Sequence, residues 1–267
     1  MFGSLLCLAA FLPAQGEELE IVNARPTFGM LGSTIDKQLK QQGRLPGDVA
    51  YFAFDVKNMT FDKDGRAFYS FLVEVRDPKG TLIYKEGPRN AIAQNSLGGN
   101  LLPCQANLDI PLDSEPGTYS LKVVVVDRAT KKSVVLESKG KVRKAEFGLV
   151  QVGTFSDREG KAPTPHLGVI GETMYFNFSV AHFARDKESK QPKLDVSLRV
   201  LDDKGEQTGP LLTGKADKDI LETYKLLPMQ FGLSLNREGN FTVELTATDH
   251  LSGKTDRVRL PLRVLKN

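Results

Sequence analysis

The sequence predicts an all-β chain of two tandem seven-stranded β-sandwiches related by an internal repeat. Three observations carry that expectation: a repeat spanning most of the chain, apolar residues that alternate with period two, and tight-turn residues between the alternating runs.

The repeat sets the expected domain boundaries. Gly47-Asp48-Val49-Ala50-Tyr51-Phe52-Ala53-Phe54-Asp55-Val56 returns as Gly171-Glu172-Thr173-Met174-Tyr175-Phe176-Asn177-Phe178-Ser179-Val180, 124 residues on. Phe71, Val73, Val75, Asp77 and Gly80 correspond to Val196, Leu198, Val200, Asp202 and Gly205 at an offset of 125, and Leu101-Leu102-Pro103-Cys104-Gln105 to Leu226-Leu227-Pro228-Met229-Gln230 at the same offset. Gly117-Thr118-Tyr119 through Asp127 corresponds to Gly239-Asn240-Phe241 through Asp249 at 122. The expected units are therefore residues 17–145 and 146–267. Few residues separate Val142, ending one strand, from Phe147 and Leu149 in the next, which predicts a restricted angle between the units.

Within each unit, alternation places successive side chains on opposite faces of a strand. Phe52, Phe54 and Val56 share one face, opposite Tyr51, Ala53, Asp55 and Lys57, and Phe176, Phe178 and Val180 do the same in the second unit. Tyr119, Leu121, Val123 and Val125 repeat the pattern, as do Phe241, Val243, Leu245 and Ala247. Asp77-Pro78-Lys79-Gly80 and Asp203-Lys204-Gly205 supply turn chemistry between runs. Strand starts are expected near 19, 49, 68, 81, 105, 117 and 132, a count that fits a two-sheet Greek-key sandwich.

The Gly-acidic-x-x-Tyr-Phe openings at Gly47 and Gly171, the Asp-x-Lys-Gly hairpins and the strand start Pro116-Gly117-Thr118-Tyr119-Ser120-Leu121 resemble the immunoglobulin-like domains of bacterial exported proteins and, more loosely, macroglobulin-type sandwich domains. The resemblance implies that Tyr119 forms a tyrosine corner, its phenol tethering backbone. Phe241, its counterpart, has no hydroxyl and is expected to close the same corner by packing alone. The chain has no Trp and no Cys pair of the antibody type, and it lacks the thioester motif of full macroglobulins.

Composition fits a folded chain, with 40% hydrophobic and 26% charged residues. Lys and Arg outnumber Asp and Glu by 36 to 33 and are spread through both halves, so nucleic acid is not an expected partner. Lys131, Lys132, Lys139, Lys141, Arg143 and Lys144 form one local basic cluster, read as a solvated strand and linker. Residues 1–16 carry no charge and contain the run Leu5 to Leu12, long enough for a signal-peptide core and too short to span a bilayer. Ala14-Gln15-Gly16 places the expected cleavage after Gly16, with no transmembrane segment thereafter; Cys7 follows the bulky Leu6, which disfavours a lipobox. Export then leaves Cys104 without a disulfide partner, in a strand whose counterpart has Met229, so both are expected to pack as plain apolar groups.

No residue is expected to be catalytic, and none to hold a cofactor or a metal. The nucleophile-elbow pattern Gly-x-Ser-x-Gly and the phosphate-binding glycine loops are missing. His166, His182 and His250 have no zinc-like spacing. Asp62-Lys63-Asp64-Gly65 starts like a calcium loop but lacks its downstream acids, which makes it a polar turn. Sequons at Asn58, Asn177 and Asn240 are incidental to this pattern, two having their middle residue in a core strand.

The expected function is that of a non-catalytic exported binding or structural (spacer) module, periplasmic, cell-surface or secreted, whose partner is another envelope or extracellular protein. Two other classes share the architecture. A periplasmic two-domain chaperone would have less similar domains and a long apolar donor strand, which Ser133 to Val142 does not supply. A carbohydrate-binding accessory protein would usually display Trp platforms, and the chain has none.

Overall fold

A computed structural model describes residues 17–35 and 42–266, so the expected signal peptide, with Cys7 and the Gly16 cleavage point, lies outside the described residues. The structure is all-β, with fifteen strands among the described residues. In the first half these are β1 (Glu20–Thr27), β2 (Val49–Lys57), β3 (Arg66–Arg76), β4 (Leu82–Gln94), β5 (Leu102–Asp109), β6 (Gly117–Asp127) and β7 (Ser133–Val142). In the second half they are β8 (Gly148–Phe155), β9 (Leu167–Val169), β10 (Thr173–Ala181), β11 (Leu194–Leu201), β12 (Leu212–Ala216), β13 (Leu226–Ser234), β14 (Gly239–Asp249) and β15 (Lys254–Leu265).

The strands form four sheets, ordered β1-β2-β5 and β4-β3-β6-β7 in the first half, β13-β10-β8 and β12-β11-β14-β15-β9 in the second. The first pair encloses a core around Phe54, Val56, Val73, Val123 and Val125. A larger core fills the second pair, around Phe176, Phe178, Leu198, Leu245 and Leu260. The faces expected from alternation are those that are buried: Phe54 and Val56 in β2, Phe176, Phe178 and Val180 in β10, Val243, Leu245 and Ala247 in β14. The second half has one strand more than the seven expected. The short β9 runs parallel to the end of β15, with Gly168 opposite Val264, where the first half has, among the described residues, a single parallel bridge between Arg44 and Val142.

Turn chemistry pins the registers. Asp77 Oδ1 accepts the backbone N–H groups of Lys79 and Thr81, and Asp202 Oδ1 those of Lys204 and Glu206. Gly80 and Gly205 follow with φ of 84° and 81°, which a side chain would resist. Asp127 and Asp249, fully buried at the ends of β6 and β14, clamp the β6–β7 and β14–β15 hairpins to the loops after β2 and β10: Asp127 accepts from Thr60 and Ala129, Asp249 from Ala184 and Leu251. Burial pushes both carboxyls up, but the Thr60 and Ser252 hydroxyls together with these N–H donors outweigh it and hold them below the usual range, ionised and satisfied.

The junction between the halves is packed, in keeping with the restricted angle the short connection implies. Asp48 Oδ1 accepts the N–H of Gln151 at 2.7 Å, Gln151 Nε2 donates to the Gly47 carbonyl, and His182 Nε2 lies 3.0 Å from the Pro46 carbonyl. Leu45 is buried with Val150 and Ala181. The loop after β1 reaches further still, burying Phe28 and Ile35 in the core of the second half.

Candidate functional site

Equivalent strand positions of the two halves differ in what their inward side chains fill. β14 and β15 pair in the register of β6 and β7 shifted by 122 residues, so that Tyr119↔Gly140 answers to Phe241↔Leu262 and Leu121↔Ser138 to Val243↔Leu260. β2 pairs with β5 as β10 pairs with β13: Phe52↔Ala106 answers to Phe176↔Phe231. At four of these inward positions the second half has a bulky group and the first a small one. Met174, Phe231, Leu260 and Leu262 stand where the first half has Ala50, Ala106, Ser138 and Gly140.

The consequence is a void. In the second half Leu260 and Leu262 are 0% and 3% exposed, and Phe231 stacks on Phe178 with ring centroids 5.9 Å apart. In the first half the same space is an apolar groove of about 320 Å³ between the two sheets, lined by Ala50, Phe52, Ala106, Leu108, Leu121, Ser138 and Gly140 among others. That volume lies at the small end of the range for ligand pockets. A Cβ added at Gly140 would meet no atom within 4 Å, so the glycine leaves space unfilled. Phe52 and Leu121, half-buried, are the walls, whereas their counterparts Phe176 and Val243 are sealed. A second, more polar cavity of about 410 Å³ lies on the β3–β4 side, sharing Ala106.

The rim is basic on balance. Lys139 and Lys141 of the edge strand β7 border the groove with Arg44 and one acid, Asp109. Arg44 is tied to Asp48 at 2.9 Å. Burial, with the nearby Asp109 and Asp48 charges, pushes the Tyr51 phenol at this rim above its ordinary value.

The residues weighed for chemistry lie apart. His166, His182 and His250 each serve a local contact: His166 Nδ1 is 2.8 Å from Ser33 Oγ, His182 faces Pro46, and His250 Nε2 is 2.9 Å from Asp195. Burial drives the His166 imidazole down to about 4; the Pro261 backbone counters this only in part, and Nε2 has no hydrogen-bonding partner among the described residues. Cys104 is half-buried against the first core, and burial, then the Asp55 charge, lifts its thiol to about 12, far from a reactive thiolate. In the Asp62 turn the carboxylate accepts from the Asp64 and Arg66 backbone and from Arg66 Nε, so an arginine occupies the place a cation would take.

The tyrosine corner is present. Tyr119 Oη donates to the Glu115 carbonyl, four residues back, at 2.9 Å. Phe241 does not rely on packing alone as expected: the Arg237 guanidinium, also four residues back, lies over its ring, 5.1 Å from the centroid.

No protein-family model and no curated protein sequence matches the chain. Among solved structures it is similar to the C-terminal domain of the Streptococcus pyogenes antigen I/II-family protein AspA (9% identity, 90% of this chain and 98% of that one, TM-score 0.28). It is similar also to dimeric latent PorU from Porphyromonas gingivalis (10% identity, 98% of this chain and 22% of that one, TM-score 0.40). A third is the set of Clostridium thermocellum CbhA fibronectin(III)-like modules (14% identity, 83% and 88% covered, TM-score 0.23).

Proposed function

We propose that the chain is a non-catalytic binding module of an exported protein, made of two immunoglobulin-like sandwiches, residues 17–145 and 146–267, that share a rigid junction. The groove of the first sandwich is its ligand site, and the second sandwich is the filled scaffold that holds it. One observation carries this reading: the groove arises from four specific replacements at positions the sister unit fills, with no loss of strand pairing. An unfilled core costs stability in proportion to its volume, so a protein that keeps one has a use for it.

The occupant that fits is an anionic amphiphile, an apolar chain with an acidic head. The walls are Ala, Phe and Leu, and Lys139 and Lys141, which make no ion pair among the described residues, are exposed beside it on the bordering strand β7. Isothermal titration of the full chain with laurate tests this. Binding is expected for the parent, and Ala106→Phe, which installs the sister residue, is expected to abolish it without unfolding the chain. Equal laurate binding by parent and Ala106→Phe would overturn the assignment.

A further inference from the structure

The outer face of the sheet β12-β11-β14-β15-β9 carries a second feature, independent of the groove. In β14 the side chains of Val243, Leu245 and Ala247 point into the core, which leaves Glu244 on the outside. An outward glutamate should be wet, yet Glu244 is 1% exposed. Three arginines cover it. Arg199 Nε donates to Oε1 at 2.7 Å, Arg259 Nε to Oε2 at 2.8 Å, and Arg257 Nε lies 3.3 Å from Oε1. Burial pushes the carboxyl up, but the Arg199 and Arg259 hydrogen bonds and the Arg257 charge outweigh it, so Glu244 stays ionised.

One negative charge thus organises three positive ones, and each guanidinium is held by Nε alone. Their Nη groups make no hydrogen bond among the described residues, and the three side chains are 36%, 50% and 57% exposed. The free edge of a guanidinium is a fork that matches the two oxygens of a carboxylate or sulfate. Glu244 acts here as a positioning residue.

The same row in the first half has the opposite signs. Glu74, Lys122 and Glu137 stand in register where the second half has Arg199, Glu244 and Arg259, and Lys85 lies 3.3 Å from Glu74. That row is balanced, so the fold does not require the arginine excess. Beside the triad the next row across the sheet is Thr213, Ser197 and Thr246, a line of hydroxyls. Neither row contains an aromatic ring on which a nucleic-acid base could stack.

We propose that this face binds the carboxylate or sulfate groups of an acidic polysaccharide, with Arg199, Arg257 and Arg259 taking the oxyanions and Ser197, Thr213 and Thr246 the sugar hydroxyls. Recognition by charge needs no Trp platform. The opposing charge on the face, Asp195, is engaged by His250.

The test is affinity electrophoresis of the full chain through gels containing polygalacturonate, dextran sulfate, neutral dextran or polyglutamate. Retardation is expected with one or both acidic polysaccharides, falling as salt rises, and none with neutral dextran. The two acidic gels separate carboxylate from sulfate preference. Arg257→Gln with Arg259→Gln should weaken retardation by about tenfold or more, while Lys139→Gln with Lys141→Gln should leave it unchanged. Arg257→Gln alone, at the arginine least engaged with Glu244, gives the same direction should the double variant fail to fold. No retardation by either acidic polysaccharide, unchanged retardation of the Arg257 variant, or polyglutamate bound as tightly as either polysaccharide would overturn the proposal.

Discussion

The first and second halves of the chain pair their strands in matching registers and differ in what the inward side chains fill. Gly47 donates to the Ile110 carbonyl as Gly171 does to that of Leu235, and Asp48 lies on the first turn as Glu172 lies on the second. On that shared frame Met174, Phe231, Leu260 and Leu262 complete a core, while Ala50, Ala106, Ser138 and Gly140 leave one open. Strand pairing depends on backbone and alternation, so it tolerates the exchange; side-chain volume decides only whether the space between the sheets is closed.

Removing the same buried ring from each half is expected to have the largest effect on stability. Phe54 and Phe178 are both 2% exposed, but Phe178 stacks on Phe231, whereas Phe54 lines the second cavity together with Ala106. Phe178→Ala is expected to cost about 4–5 kcal/mol and Phe54→Ala about 3 kcal/mol, since a site already underpacked loses fewer contacts. Denaturant unfolding gives both values, and a reversed order would mean that the first half is as tightly packed as the second.

A somewhat smaller effect sharpens the junction. His166 is buried, its imidazole lowered to about 4, beside Phe28 and Ser33 of the first half. The unfolded chain binds a proton near pH 6.5 that the folded chain refuses, so stability is fully present above that pH and is lost as pH falls toward 4. The loss reaches about 3 kcal/mol at the lower end. His166→Gln should flatten that part of the pH profile. An unchanged slope in the variant would place the proton uptake elsewhere.

Much of this architecture is legible in the sequence. The starts of β1 to β7 fall within three residues of those expected from turns and alternation, because Asp-x-Lys-Gly turns and period-two burial are local. The four groove positions are also readable from the aligned copies, although a small residue opposite a large one gains its meaning only once register shows the four converging. The junction is not readable: Phe28, Ile35 and His166 have no counterpart contacts in the repeat, and their burial comes from one half meeting the other. Nor does alternation show that an outward Glu244 is sealed under arginines from two neighbouring strands.

The smallest expected effects lie at the corners. Tyr119→Phe removes a solvent-accessible hydrogen bond to Glu115 and should cost about 0.5–1 kcal/mol. Arg237→Ala removes the cation over Phe241 and should cost about the same. Comparable losses would mean that hydroxyl and guanidinium serve one purpose; no loss in either would leave both corners to packing.

The measurement that bears most directly on the contrast between the halves is an amide chemical-shift titration of the full chain with laurate. Shifts are expected to gather at Ala50, Ala106, Ser138 and Gly140 and to spare Met174, Phe231, Leu260 and Leu262. Shifts of equal size at both sets, or at neither, would contradict the account.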